Sequence, residues 1–105
     1  MIATVNKRPI AKRDLIRIGR YLREKESQDL ASRFLQAAEE SLAILARNPL
    51  MGSDRPTLIR GFPELQMFPI SGFEKYLVFY QVTGNGIDVI RILHGSRDIG
   101  KVFRD

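Results

Sequence analysis

Hydrophobic residues in the first half of the chain recur at helical spacing. Pro9 suits the first turn of a helix, where its missing N–H is not needed. Behind it an apolar stripe follows the i, i+4, i+7, i+11 pattern: Ala11, Leu15, Ile18, Leu22. A second stripe begins after Ser27, a good N-cap residue: Leu30, Phe34, Ala38, Ser41, Leu45. Only a short break around Glu26 separates the two, and Asn48-Pro49 ends the second. The pattern predicts an antiparallel helical hairpin.

Four shorter apolar segments predict β-strands. One lies at the start, Ile2 to Val5, and three lie in the second half: Leu65 to Ile70, Tyr76 to Val82, Ile87 to His94. The last two flank Thr83-Gly84-Asn85-Gly86, whose glycines and asparagine can take positive φ in a hairpin turn. Because Tyr76 to Val82 is apolar on both faces, it is expected to be a central strand covered on both sides.

The remaining segments complete the predicted fold. Residues 48 to 63 carry three prolines and two glycines, which is typical of a loop, and a short helical turn is expected near Ile99 to Phe103. The order β-α-α-β-β-β predicts an α+β protein with the helical hairpin packed on a mainly antiparallel four-stranded sheet. At 105 residues the chain is expected to be one domain, residues 1–105.

Composition excludes several classes of protein. With 44% hydrophobic and 28% charged residues the chain is in the globular range. It has no cysteine, which excludes disulfides, thiolate metal sites and cysteine nucleophiles. No apolar run approaches the roughly 20 residues of a membrane span, and the N-terminus lacks the pattern of a signal peptide. We therefore expect a cytoplasmic protein with no membrane partner.

The net charge of +5 is concentrated in one segment. Lys7 to Lys25 contains eight Lys or Arg residues against two acidic residues, Asp14 and Glu24. Arg13, Arg17 and Arg20 share one face of the predicted first helix, away from its apolar stripe, and form a basic ridge. Such a ridge favours an acidic partner or a polyanion. The alternative, given equal weight, is an ordinary solvated helix face.

The joint order of four segments is similar to the ParE branch of the RelE/ParE toxin superfamily. They are "RPIAKRDLIRIGRYL", "ASRFLQAAEESLAILARNPLMG", "FPELQMFPISGFEKYLVFYQV" and "VIRILHGSRD", which together span nearly the whole chain. The resemblance implies the toxin of a type II toxin–antitoxin pair, in a hetero-oligomer with a cognate ParD-like antitoxin whose C-terminal segment wraps the toxin. For ParE-like members the implied target is DNA gyrase, inhibited so that cleaved DNA persists. For RelE-like members it is mRNA, cut at the ribosome.

His94, the only histidine, decides between these two activities. A metal-independent mRNA interferase needs a base, an acid and cations that stabilise the phosphorane. His94 could be the base, with cations and a second proton-transfer group drawn from Arg60, Lys75, Arg91, Arg97, Glu64 and Glu74. Against this, the chain ends in Lys101-Val102-Phe103-Arg104-Asp105, with no His or Tyr where RelE-like nucleases carry catalytic residues. Strand alternation also groups His94 with Ile90 and Ile92.

We therefore interpret His94 as a structural residue at the edge of the core, hydrogen-bonded to backbone, and catalytic only under the nuclease alternative. The protein is expected to act by binding, without a cofactor or a metal site. Arg91, by alternation beside Val89 and Leu93, is expected to reach the sheet margin or a partner's carboxylate. The candidates for target binding are Arg91, Arg97, Lys101 and Arg104. Those for antitoxin binding are Arg13, Arg17, Arg20 and Arg60.

Overall fold

The computed structural model describes residues 3–54, 64–97 and 101–102. Along the chain its elements are β1 (Thr4–Lys7), α1 (Pro9–Lys25), α2 (Gln28–Arg47), a 3-10 turn (Pro49–Met51), β2 (Ser53–Asp54), β3 (Gln66–Ile70), β4 (Phe73–Val82) and β5 (Gly86–His94). The predicted α+β class and the order β-α-α-β-β-β are confirmed. The two-residue strand β2 is an addition, within the segment predicted to be a loop.

The sheet has the order β1-β5-β4-β3-β2. β1 pairs with β5 in parallel, whereas the β5–β4, β4–β3 and β3–β2 pairs are antiparallel. The sheet is therefore mainly antiparallel, as expected. Since β1 is only four residues long, it covers β5 no further than Val89. Among the described residues, no strand lies beside the rest of that edge of β5.

The helical hairpin has the termini that its sequence predicts. Pro9 is in the first turn of α1, and Ser27 caps α2, with its hydroxyl oxygen accepting a hydrogen bond from the Leu30 N–H at 3.0 Å. In the described residues no helix is long and apolar enough to cross a membrane.

The core lies on both faces of the sheet. The helices bury the larger cluster, in which Phe34, Leu42 and Tyr80 are fully buried. A smaller cluster on the other face contains the buried residues Leu65, Phe79, Ile90 and Leu93. Val102 packs against it and is helical together with Lys101, while the rest of the predicted C-terminal turn lies outside the described residues. The expectation that β4 is covered on both sides is met, because Val78 and Tyr80 belong to the first cluster and Phe79 to the second.

A β-bulge changes which residues of β5 face the helices. Phe79 is opposite Arg91, whereas the next residue, Tyr80, is opposite Val89, so Ile90 is the extra residue. Ile90 joins the smaller cluster, and Ile92 joins the larger one under the helices. The predicted grouping of His94 with both Ile90 and Ile92 is therefore wrong for Ile90. The same bulge separates Val89 from Leu93, the two residues that simple alternation placed beside Arg91.

Candidate functional site

A surface pocket of about 650 Å³ opens between α1 and the ends of β4 and β5. Here it is called the α1–β5 pocket. Its polar and aromatic lining comes from all three elements: Arg17 and Tyr21 from α1, Lys75 and Tyr76 from β4, and His94 and Arg97 from the end of β5 and the turn after it. The apolar stripe of α1 contributes Ile18 and Leu22. The pocket thus combines positive charge, aromatic rings and an apolar surface.

His94 is fixed by the turn that follows β5. Its Nδ1 accepts a hydrogen bond from the Ser96 N–H at 3.0 Å and lies 2.7 Å from the Ser96 hydroxyl oxygen. A backbone N–H can only donate, so Nδ1 is the unprotonated nitrogen and the proton of the neutral ring is on Nε2. The His94 carbonyl accepts from the Arg97 N–H at 3.1 Å. The predicted hydrogen bond between His94 and backbone is present.

Tyr76 forms the wall of the pocket beside His94. The two rings meet edge to face with centroids 5.0 Å apart, and Phe34 of the core contacts Tyr76 at the same distance. Burial raises the pKa of the Tyr76 phenol, and the neighbouring Tyr21 raises it further. Tyr76 therefore stays a neutral hydrogen-bond donor at physiological pH, in a fixed orientation.

His94→Gln should leave most of the biological activity in place, because the glutamine amide can keep one contact to the Ser96 backbone. We expect a loss of stability of roughly 1–2 kcal/mol, the cost of a disturbed hydrogen bond. Urea denaturation and growth inhibition would be measured on the same variant. A general base would behave differently, losing on the order of 10²–10⁴ in rate while the protein stays folded. A fully folded His94→Gln protein without any toxicity would contradict the structural interpretation.

Asp14, counted above only as an acidic residue of the basic segment, joins α1 to β5. It is completely buried, and its Oδ2 accepts hydrogen bonds from the Arg91 Nε at 2.8 Å and from the Ile92 N–H at 3.0 Å. Its Oδ1 accepts from the Arg91 Nη2 and from the Arg17 Nη2, each at 3.0 Å. The carboxylate lies beside the part of β5 that β1 does not reach, and there it accepts the hydrogen bond of the Ile92 N–H, which no strand residue of β1 accepts.

A sequence signal for Asp14 exists. It lies three residues after Ala11 and four before Ile18, within the apolar stripe of α1. A carboxylate on the inner face of an amphipathic helix is rarely buried without a partner. That position predicts a cation or backbone donor opposite it, although it does not say which one.

The predicted target-binding residues have different environments. Arg91, whose side chain is only 12% exposed, is held by Asp14 of its own chain rather than by a partner's carboxylate. Arg97 and Lys101 are exposed, and Arg97 lines the α1–β5 pocket. Arg104 lies outside the described residues. The target-binding role of all four stays a prediction.

The predicted antitoxin-binding residues on α1 are exposed, and Arg17 and Arg20 line separate concave surfaces. Arg17 lines the α1–β5 pocket, whereas Arg20 lines a groove of about 280 Å³ between α1 and α2. This hairpin groove is formed by Ile16, Gly19, Arg20, Arg23, Ala31 and Leu35, with Gln28 and Ser32 at its side. Arg13 is exposed on the same ridge, and Arg60 lies outside the described residues.

Two apolar side chains in the hairpin groove are exposed to solvent: Ile16 is 60% exposed and Leu35 is 39% exposed. In the described part of the chain, no group of three or more His, Asp or Glu side chains is placed to hold a metal ion. What the described residues offer is therefore an apolar groove with two arginines and a basic pocket with aromatic walls.

Comparison with known proteins agrees with this fold. The family model for the ParE toxin of the type II toxin–antitoxin system, parDE, matches residues 5–99. Ten chains of solved structures match as well. One belongs to the chromosomal ParDE toxin–antitoxin system from P. aeruginosa; it is 18% identical, has a TM-score of 0.71, and the match covers 89% of this chain and 96% of that one. No curated protein is similar enough to count as a match.

Proposed function

Because the chain belongs to the ParE toxin family, we propose that it is the toxin of a type II toxin–antitoxin pair, that it inhibits DNA gyrase by binding, and that a cognate ParD-like antitoxin neutralises it in a hetero-oligomer. Both partners would be met in the cytoplasm. The proposed activity is that of a binding protein, so no bond in a substrate is broken by the toxin itself.

The geometry of His94 is the observation that favours binding over RNA cleavage. An interferase base must accept the proton of a ribose 2′-hydroxyl. The only unprotonated nitrogen of His94, Nδ1, already accepts from the Ser96 N–H and is within hydrogen-bonding distance of the Ser96 hydroxyl. The remaining nitrogen, Nε2, carries a proton and can only donate. To act as a general base, His94 would first have to break the hydrogen bonds between Nδ1 and Ser96 that hold the turn.

The lining of the hairpin groove supports an antitoxin segment that is both acidic and amphipathic. Ile16 and Leu35 expose apolar surface in the groove, and Arg20 and Arg23 add two positive charges. An amphipathic segment with apolar residues on one side and carboxylates on the other complements both features. The rest of the basic ridge, Arg13 and Arg17, would attract such an acidic segment and speed its association more than it strengthens the final complex.

A purified gyrase assay tests the proposal. The wild-type chain should cause cleaved DNA to accumulate, leave mRNA intact, and lose this effect when the cognate antitoxin is added. A double variant, Ile16→Glu with Leu35→Glu, should still act on gyrase but escape the antitoxin, because two carboxylates in the groove repel an acidic segment and remove its apolar contacts. Two quantities would be measured: the amount of cleaved plasmid on a gel, and the antitoxin concentration at which gyrase again supercoils relaxed plasmid.

The matched control is Ile44→Glu. Ile44 is an apolar residue of α2 that is 43% exposed and does not line the groove, so this variant should remain sensitive to the antitoxin. Equal resistance in both variants would remove the groove from the antitoxin interface. Ribosome-dependent cuts in transcripts, with undamaged DNA, would overturn the gyrase proposal in favour of an RelE-like interferase.

A further inference from the structure

The α1–β5 pocket holds more positive charge than the described residues neutralise. Lys75 and Arg97 are exposed, and neither side chain makes an ion pair or hydrogen bond within the described part of the chain. Arg17 shares the Asp14 carboxylate with Arg91, so that carboxylate faces two cations. Among the described residues that line the pocket, Glu26 has the one carboxylate. A concave surface with this excess attracts an anion more strongly than the same charges would on a flat helix.

The three cations come from three different elements. Arg17 is on α1, Lys75 is on β4, and Arg97 is in the turn after β5. Positive charges along a solvated helix are screened by water and salt, so they do not by themselves indicate a ligand. Positive charges that the fold brings together in one concave surface repel each other more strongly. Such repulsion is relieved when an anion lies between them.

Aromatic rings flank the same charges. Tyr21 is 55% exposed although it lines the pocket, and Tyr76 is held in place by Phe34 on one side and His94 on another. A fixed ring next to an exposed ring offers a surface on which a nucleobase can stack. A ligand that carries only a phosphate would leave these rings unused.

Directional donors and size narrow the ligand class further. The His94 tautomer leaves Nε2–H as a donor, because Nδ1 is occupied by Ser96. The volume of about 650 Å³ lies within the roughly 300–1,000 Å³ range of small-molecule sites and leaves room for more than an inorganic anion. Phosphate, sugar and base can be accommodated together.

We propose that the α1–β5 pocket binds a nucleotide, with its phosphate held by Arg17, Lys75 and Arg97 and its base against Tyr21. The ligand is a free nucleotide or one unit of a single strand, since both present the same phosphate and base. This site is separate from the hairpin groove and does not depend on gyrase being the target. No covalent step is involved.

The test is a titration of the full chain, without gyrase or antitoxin, followed by NMR of labelled protein and by calorimetry. The probes are inorganic phosphate, thymidine 5′-monophosphate, adenosine 5′-monophosphate and a six-residue oligothymidylate. We expect the amide resonances of His94, Ser96 and Arg97 to shift with the nucleotides, and affinity to fall as salt is raised. If the oligonucleotide binds more tightly than the mononucleotides, the natural ligand is a single-stranded nucleic acid. If the oligonucleotide and the mononucleotides bind equally, the natural ligand is a free nucleotide.

Single variants distinguish specific nucleotide binding in the pocket from non-specific attraction of the anionic nucleotide to a basic protein. Arg97→Ala and Tyr21→Ala should each weaken nucleotide binding about tenfold, whereas Tyr21→Phe should keep it because the ring remains. Arg13→Ala is the control, since it also removes one positive charge, from an exposed position of α1 that lies outside the pocket. All three positions are exposed, so the four variants should fold, which circular dichroism would verify. The proposal is overturned if nucleotides shift no pocket resonance, if phosphate alone binds as tightly, or if Arg13→Ala weakens binding as much as Arg97→Ala.

Discussion

Asp14→Ala should be among the most destabilising single changes in the described core, lowering the free energy of unfolding by roughly 3–5 kcal/mol. The carboxylate is completely buried and receives four hydrogen bonds, from Arg17, Arg91 and Ile92. Its removal leaves the Arg91 guanidinium, only 12% exposed, without its counter-charge and leaves the Ile92 N–H without an acceptor. Urea denaturation followed by circular dichroism would measure the loss.

Companion variants separate the charge from the backbone hydrogen bond. Asp14→Asn keeps an oxygen for the Ile92 N–H, so it should be less destabilising than alanine. In a double-mutant cycle, Asp14→Ala with Arg91→Ala should lose less than the sum of the two single changes, because no unpaired charge is left buried. Arg33→Ala is the control: it removes one member of the exposed Arg33–Asp29 pair and should cost less than about 1 kcal/mol. Similar losses at Asp14 and Arg33 would contradict this account.

The ion pair between Asp14 and Arg91 shows where sequence patterns stop being informative. Both helices follow from periodicity because each carries a long stripe, and Ser27 marks the start of the second. Asp14 interrupts the first stripe in a visible way. Its partner Arg91 is 77 positions away, and no local pattern connects the two. The bulge at Ile90 then rotates the strand, so that even the face of Arg91 cannot be obtained by alternation.

The strand boundaries differ from the prediction for a similar reason. β1 (Thr4–Lys7) extends two residues past the predicted end at Val5, because polar partners hold its second half, while Ile2 lies outside the described residues. The Asn6 amide donates to the Asp88 carboxylate at 2.9 Å. Arg8, just past the strand, binds the same carboxylate at 3.0 Å. An edge strand with polar cross-strand pairs has no apolar pattern by which its end could be recognised.

The candidate site was predicted as a set of residue types but not as a set of neighbours. Arg17 and Arg97 were assigned to two different partners, yet the fold brings them to one pocket with Lys75 and Tyr21. Their closeness depends on how α1 crosses the end of β5, a tertiary relation that spacing along the chain does not encode. The interpretation of His94 as hydrogen-bonded to backbone rests on its grouping with Ile90 and Ile92, which the bulge makes wrong for Ile90. The hydrogen bond itself comes from the Ser96 N–H in the turn that follows, which strand alternation does not predict.

Gly86→Ala should lower the free energy of unfolding by about 3 kcal/mol, at the upper end of the usual cost of overpacking. A Cβ at Gly86 would lie 1.9 Å from the Thr4 carbonyl oxygen and 2.7 Å from the Thr4 nitrogen. Both are backbone atoms of the strand paired in parallel with β5, so neither can move aside without opening that pair. The reason for glycine here is the close approach of β1, since Gly72 is the one described residue with positive φ.

Gly84→Ala provides the matched comparison, two residues earlier in the same turn. A Cβ there would meet nothing within 4 Å, so its effect should stay within about ±0.5 kcal/mol. Hydrogen exchange adds a local readout: in Gly86→Ala the Thr4 and Arg8 amides, which donate to Asn85 and Val89, should lose protection before the amides of β4 do. If both alanine variants were equally stable, or if β1 kept its protection in Gly86→Ala, then the backbone contact between Thr4 and Gly86 would not be what fixes β1 to the sheet.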